Sequence, residues 1–349
     1  YITLAYVQLQ TCASIISPLF GITWIQALLI SSFVITVYTY IGGMHAIVLV
    51  GIIHVFVMFA GIGTAMVIGL TNAGGLDQLL NRLIEQGAPS NAYNPFSAGW
   101  NYAFSLLLGG VLGGMAGQAS IQPIFAAKDV KTAKNAAIAS SLIIAPFGIM
   151  VGFLGLIAKS GQYFDPSTVV NPKLVLPMLL TNPEFVPPII GGIAIAGILA
   201  AILSTVGPVN FAAVTIAAKD IYQGMINPEA TDQSVLKISK LLVIAVSLIS
   251  LPLAIFLEGA ILDAAYVSYA IRAIGAIVIV GGVYARGWIS PLSVKLAFIG
   301  GTISVFISII AYHLDIVKID KTYVAVVSAF VFIIIGQIIT KRKGNNVEK

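Results

Sequence analysis

The chain is predicted to be an all-α polytopic membrane protein with about ten transmembrane helices, and three observations predict it. Only 9% of its 349 residues are charged and 58% are hydrophobic, against roughly 25% charged in a soluble domain. So little polar surface cannot cover a globule in water. Ten apolar stretches approach or exceed the roughly 20 residues that a spanning helix needs. None of them alternates polar and apolar side chains in the roughly 10-residue segments of a transmembrane β-barrel.

The first stretch, over 1–17, opens at Tyr1 without a methionine or a signal-like start, so further sequence is expected upstream. The second and third, at 22–41 and 46–70, are separated only by Gly42, Gly43, Met44 and His45. A polar stretch at 71–98 follows, whose Pro, Gly and Asn content fits irregular or short interfacial structure. The fourth and fifth spans lie at 99–122 and 136–158, and a second long connection covers 159–187. The remaining spans are expected at 188–218, 235–257, 260–284, 292–312 and 322–340.

Lys and Arg in the connections set the orientation. With the C-terminal tail cytoplasmic, that side holds twelve: Lys128, Lys131, Lys134, Lys219, Lys237, Lys240, Arg286, Lys295, Lys341, Arg342, Lys343 and Lys349. Five, Arg82, Lys159, Lys173, Lys318 and Lys321, fall on the other side, and Arg272 lies inside a span. The cations therefore read as topology signals of a plasma-membrane protein and not as a basic stripe for nucleic acid. Cys12 is the single cysteine, and no Cys/His cluster, carboxylate dyad or Ser-His pair within the spans points to an enzyme.

Three features depart from a plain bundle. GGVLGGMAG places Gly109, Gly110, Gly113, Gly114 and Gly117 in the fourth span. Such a stripe serves either close helix contact or a discontinuous helix whose freed backbone lines a solute cavity. In the sixth span Ser204 and Thr205 follow Ala201 by three and four residues, with Pro208 beyond. Their oxygens converge on one face, either as hydroxyls bonded back to the preceding turn or as ligands of a hard monovalent cation. Arg272, nine residues after Asp263, is an intramembrane charge and so a functional candidate, with a structural ion pair or snorkelling as the alternative. His54 reads as a hydrogen-bonded interior residue or a proton relay.

The strings YTYIGGMHAIVLVGIIH at 38–54, IQPIFAAKDVKTAK at 121–134, and AAILST followed by KDIY at 219–222 resemble the sodium:solute symporter family across essentially the whole chain. Tyr38, Thr39, Gly42, Gly43 and Ala46 carry the most specific pattern. The resemblance implies a core of two inverted five-helix repeats. The chain would begin at the third core helix and end with two helices outside the core: 1–70 the rest of the first repeat, 99–284 the second, and 292–340 accessory. The glycine-rich span would be the broken helix opening the second repeat. Ala201, Ser204 and Thr205 match the family's sodium ligands, with the remaining ligands on a first core helix.

The resemblance also has departures. The family's Thr-Asp-x-x-Gln motif, which accompanies a second sodium, reads Val50, Gly51 and His54 here. Gly113 and Gly114 stand where sugar-transporting members have aromatics, and the next span is apolar around Ile144 where they have a lysine. One sodium and a non-sugar solute are therefore expected. The usual Arg is Pro123, and the usual Ala-Asp-Ser is Val206, Gly207 and Pro208. The implied function is sodium-coupled uptake of a small organic solute by alternating access. Gly113, Gly114, Gly117 and Arg272 would face the solute, Arg272 favouring an amino or organic acid. A transport-inactive sensor of the same fold, or a proton-coupled symporter, is the alternative.

Overall fold

The computed structural model describes residues 1–169, 174–257, 261–285 and 287–347, without the side chains of 42–47, 261–264 and 342–347. Lys173, Arg286 and Lys349, and the side chain of Asp263, therefore lie outside the described residues. Every regular element among the described residues is helical. Among the described residues, nine helical segments are long and apolar enough to cross a membrane, or ten if one bent pair counts as a single span. The protein is a multi-pass membrane protein. Large apolar side chains such as Phe33, Phe56, Leu142 and Ile299 are exposed along the spans and face lipid.

One compact unit comprises Tyr1–Asn94 and Gln122–Ile261. Helix α1, Ile2–Phe20, ends at Gly21, whose φ of 63° is the left-handed conformation that glycine adopts without strain. Helix α2, Trp24–Asn72, starts at a capping box in which Gln26 N–H donates to Thr23 Oγ1 and Thr23 N–H donates to Gln26 Oε1. The spans expected at 22–41 and 46–70 are both present, as Trp24–Ile41 and Val48–Asn72, and they belong to one continuous helix of 49 residues. The linking residues contain no proline and no carboxylate or ammonium group, and two glycines at about 1 kcal/mol each weaken a helix without stopping it.

The connection after α2 contains a short amphipathic helix α3, Leu76–Glu85, with Leu79 and Leu83 fully buried, in accord with the short interfacial structure expected there. Two half-helices follow, α4, Trp100–Met115, and α5, Gln118–Phe125. Asp129 caps α6, Val130–Lys159, and the short α7 covers Val175–Thr181. Helix α8, Pro188–Thr215, continues as a π-helix, Ile216–Ile226, so the sixth span reaches farther than its hydrophobicity suggests. Thr231 caps α9, Asp232–Phe256. Gln10 on α1 donates from Nε2 to the carbonyls of Ala254 and Leu257 at 3.0 and 2.7 Å, tying α1 to the end of α9.

The other unit comprises Pro95–Ile121 and Leu262–Lys349. Besides α4 it holds α10, Ile261–Tyr284, α11, Pro291–His313, and α12, Lys321–Val347. Ala270, Ile274, Ala297, Val305, Ala325 and Ala329 form its core. The small residues let backbones approach closely. A Cβ on Gly336 would lie 2.4 Å from Ser293 Cα, so α11 and α12 touch main chain to main chain.

Candidate functional site

Within the first unit, α8 carries the hydroxyl pair. Ser204 Oγ donates to the Ala201 carbonyl at 2.8 Å, and Thr205 Oγ1 donates to the same carbonyl at 3.0 Å. The back-bonding that the spacing allows is therefore formed. It leaves lone pairs free on each hydroxyl, because each uses its single proton in donating. Pro208, inside the helix, lacks the N–H that would otherwise donate to the Ser204 carbonyl, four residues earlier. Ala201 and Ser204 are half-buried and Thr205 is exposed. Main-chain and hydroxyl oxygens without nitrogen or sulfur suit a hard cation.

Helix α2 supports this stretch of α8. A Cβ on Gly61 would lie 2.5 Å from the Ile193 carbonyl oxygen, and one on Gly197 would lie 3.1 Å from that of Val57. One helix rises in number as the other falls, so they run antiparallel, and one more turn of this register sets His54 level with Ala201. His54 is only 9% exposed, and its Nδ1 is buried with no hydrogen-bond partner among the described residues. The expected hydrogen-bonded interior role is thus unmet at Nδ1. Asn210, 2% exposed with its Oδ1 likewise unpartnered there, is a buried polar group that periodicity did not single out.

The second unit contains the glycine-rich segment. Helices α4 and α5 meet at 43° across Ala116 and Gly117, so the discontinuous helix is formed. Its glycines differ in their surroundings. Gly109, Gly113 and Gly117 recur every four residues on one face, and a Cβ on each would meet Thr322 Oγ1 at 3.2 Å, Tyr269 Cβ at 2.9 Å and Arg272 Nη1 at 2.9 Å. Gly114, one position round the helix, has nothing within 4 Å of such a Cβ. One stripe therefore serves contact and its neighbour is open. The Arg272 guanidinium lies over the Tyr269 ring at 4.5 Å, and Tyr266 donates its hydroxyl to the Leu106 carbonyl at 3.2 Å.

A cavity of about 640 Å³ in the same unit opens at the other end of α4, between Asn101, Tyr102, Tyr312, Lys318, Asp320 and Tyr323. It lies about 20 Å along the helix from Gly114. Sequence patterns did not mark it, because its lining comes from three separate helix ends.

The predicted residues thus assemble in two groups, each inside one unit: Ala201, Ser204 and Thr205 on one turn of α8, and Gly113, Gly117 and Arg272 at the helix break. The sequence profile of the sodium:solute symporter family matches residues 1–288. The symporter YwcA of Bacillus subtilis (strain 168), whose solute its name leaves open, is 30% identical over 269 residues, 72% of this chain and 50% of that protein. The high-affinity proline transporter PutP of the same organism is 27% identical over 264 residues, 74% of this chain and 54% of that protein. A solved structure of a substrate-bound, outward-open Na+-coupled sialic acid symporter matches with a TM-score of 0.74. It covers 97% of this chain and 72% of that chain at 18% identity, a likeness of fold. The chain spans about half the length of the curated relatives it matches.

Proposed function

Because the chain belongs to the sodium:solute symporter family, whose relatives here are transporters and not enzymes, we propose that it carries out sodium-coupled secondary active uptake of a small organic solute. The observation that carries this reading is the convergence of Ser204 Oγ and Thr205 Oγ1 on the Ala201 carbonyl. These oxygens supply one side of a sodium site. Each hydroxyl keeps its proton on the Ala201 carbonyl and turns a lone pair to the ion, so binding requires little rearrangement of α8. Further oxygens from another helix complete the site.

The solute lies at the α4–α5 break, against the open face at Gly114 and beside Gly113, Gly117 and Arg272. A guanidinium there suits a carboxylate, which makes an amino or organic acid the solute class. The proline relative supports that class. Residues 1–70 belong to the first repeat, 99–284 to the second and 292–340 to accessory helices, and alternating access moves one repeat against the other. Sodium favours whichever state holds its ligands together, and it drives uptake by that difference in affinity. The protein works in the plasma membrane with its C-terminus in the cytoplasm.

Uptake into proteoliposomes under an inward sodium gradient, with a panel of amino acids, organic acids and sugars, tests the reading. Accumulation should need sodium and should not follow a proton gradient alone. Ser204→Ala and Thr205→Ala should each raise the sodium concentration for half-maximal uptake on the order of tenfold, the loss of one ligand oxygen, while the protein still folds. Sodium titrations that overlay the parent curve would remove the hydroxyls from the ion site. Solute binding without accumulation would identify a sensor.

A further inference from the structure

The cavity of about 640 Å³ at the start of α4 falls within the roughly 300–1,000 Å³ that small-ligand sites occupy. Its lining comes from the first residues of α4, the last of α11, the connection that follows and the first residues of α12. Because the spans of α11 and α12 end there, the cavity lies at one boundary of the membrane. Tyr323 Oη on α12 donates to the Asn101 carbonyl on α4 at 2.9 Å, and the Phe104 and Tyr323 rings stack at 6.4 Å. These contacts tie α4 and α12 together beside it.

The polar groups of the cavity divide into acceptors and donors. Ser105 on α4 and Ser308 on α11 both line it. Ser105 Oγ donates to the Tyr102 carbonyl at 2.9 Å, and Ser308 Oγ donates to the Val305 carbonyl at 2.7 Å. Each hydroxyl has a single proton, so both have only lone pairs left to offer. Asp320 is likewise an acceptor, and its Oδ1 already takes the Thr322 N–H at 2.8 Å. Lys318 and Lys321, on either side of Asp320 in the chain, are donors with positive charge. Lys318 Nζ lies 3.0 Å from Asp315 Oδ1, but both side chains are about three-quarters exposed. Such a pair is weak, and the ammonium keeps further protons for a second anion.

A ligand that suits both sets carries an anionic group for the lysines and hydroxyls for the serines and the carboxylate. Apolar surface continues along the same helices into the span, where Phe104 and Leu107 on α4 and Phe306 and Ile310 on α11 are roughly half exposed or more. An amphiphile with an anionic, hydroxylated head meets all three conditions. We propose that this cavity binds the headgroup of an anionic phospholipid whose phosphate bears a polyol, as in phosphatidylglycerol. The phosphate lies on Lys318 and Lys321, and the glycerol hydroxyls donate to Ser105, Ser308 and Asp320. Every residue of the site belongs to the unit of α4, α11 and α12, and none of them is assigned to the ion or the solute.

Native mass spectrometry of the delipidated 349-residue chain tests this with four probes: phosphatidylglycerol, phosphatidylethanol and phosphatidylcholine of the same acyl chains, and free glycerol phosphate. The parent should retain one phosphatidylglycerol in preference to phosphatidylethanol, which has the same charge without the hydroxyls, and to phosphatidylcholine, which has no net charge. Lys318→Gln and Lys321→Gln should each weaken both anionic lipids roughly fivefold. Ser308→Ala should weaken phosphatidylglycerol alone and so narrow its lead over phosphatidylethanol. Lys341→Gln, at the far end of α12, should match the parent. If Lys321→Gln does not fold, the exposed Lys318→Gln decides. Parent-like retention in Lys318→Gln, or a parent that holds phosphatidylglycerol no better than the other two lipids, would overturn the proposal. Displacement of the lipid by glycerol phosphate at equal concentration would assign the cavity to a soluble phosphate and overturn the lipid as its ligand.

Discussion

Gly61 faces the Ile193 carbonyl so closely that a Cβ at position 61 would lie 2.5 Å from its oxygen and 2.6 Å from Ala194 Cα. The contact is backbone to backbone, so no flexible side chain can move aside. It fixes the height of α8 on α2, and with it the level of the Ala201 carbonyl. Gly61→Ala should therefore destabilise the protein by about 1–3 kcal/mol through overpacking. Gly197→Ala, whose Cβ would lie 3.1 Å from the Val57 carbonyl oxygen, should cost less. Gly51, with nothing within 4 Å, should tolerate alanine with a gain of up to about 1 kcal/mol from helix propensity. Thermal unfolding in detergent ranks the three, and equal midpoints for Gly61→Ala and Gly51→Ala would refute the contact.

The spans were legible because uninterrupted apolar runs of this length have few other outcomes. Continuity of α2 was not legible. Two adjacent spans and one long helix share the same apolar signal, and Gly42 and Gly43 permit a turn without imposing one. The π-helix at Ile216–Ile226 was equally hidden, since its hydrogen-bond shift depends on backbone geometry and on no particular residue. At the site, the meeting of Ser204 and Thr205 on Ala201 followed from helical spacing alone. The glycines of α4 presented two readings; Gly109, Gly113 and Gly117 make close contacts, and Gly114 is open. No local pattern could place Arg272 against Gly117, because α10 brings it there from a distant part of the chain. Asn210 escaped notice as one polar residue among apolar neighbours.

Orientation rests on the cations, and the continuity of α2 through 42–47 leaves their count untouched, since no Lys or Arg precedes Arg82. Lys134 and Lys343 are predicted to be cytoplasmic, and Asn91 and Lys173 external. The single native cysteine, Cys12, is 3% exposed, so cysteines introduced singly at these four positions report on themselves. A membrane-impermeant maleimide should label positions 91 and 173 on intact cells, and 134 and 343 only after permeabilisation. The reverse pattern would invert the topology and with it the direction assigned to transport.

Asp129 gives a pH-dependent prediction outside the spans. Its backbone is extended at φ −158°, and its Oδ1 accepts the Thr132 N–H at 2.6 Å, closing the first turn of α6. That backbone hydrogen bond, with the Thr132 side chain, holds the Asp129 carboxyl below the usual 3.8. A lowered carboxyl pKa in the folded state contributes stability that is complete above the unfolded value and disappears as pH falls through the folded one. The cap should therefore hold at neutral pH and loosen only below the ordinary carboxylate range. Asn accepts the same hydrogen bond without titrating, so Asp129→Asn should keep α6 closed at every pH, and Asp129→Ala should open its first turn at every pH. Exchange protection of the Thr132 amide, corrected for its intrinsic rate, reads all three between pH 2 and 6. If protection in the parent is flat across that range, or the Asn variant loses protection in acid as the parent does, the carboxylate is not what caps the helix.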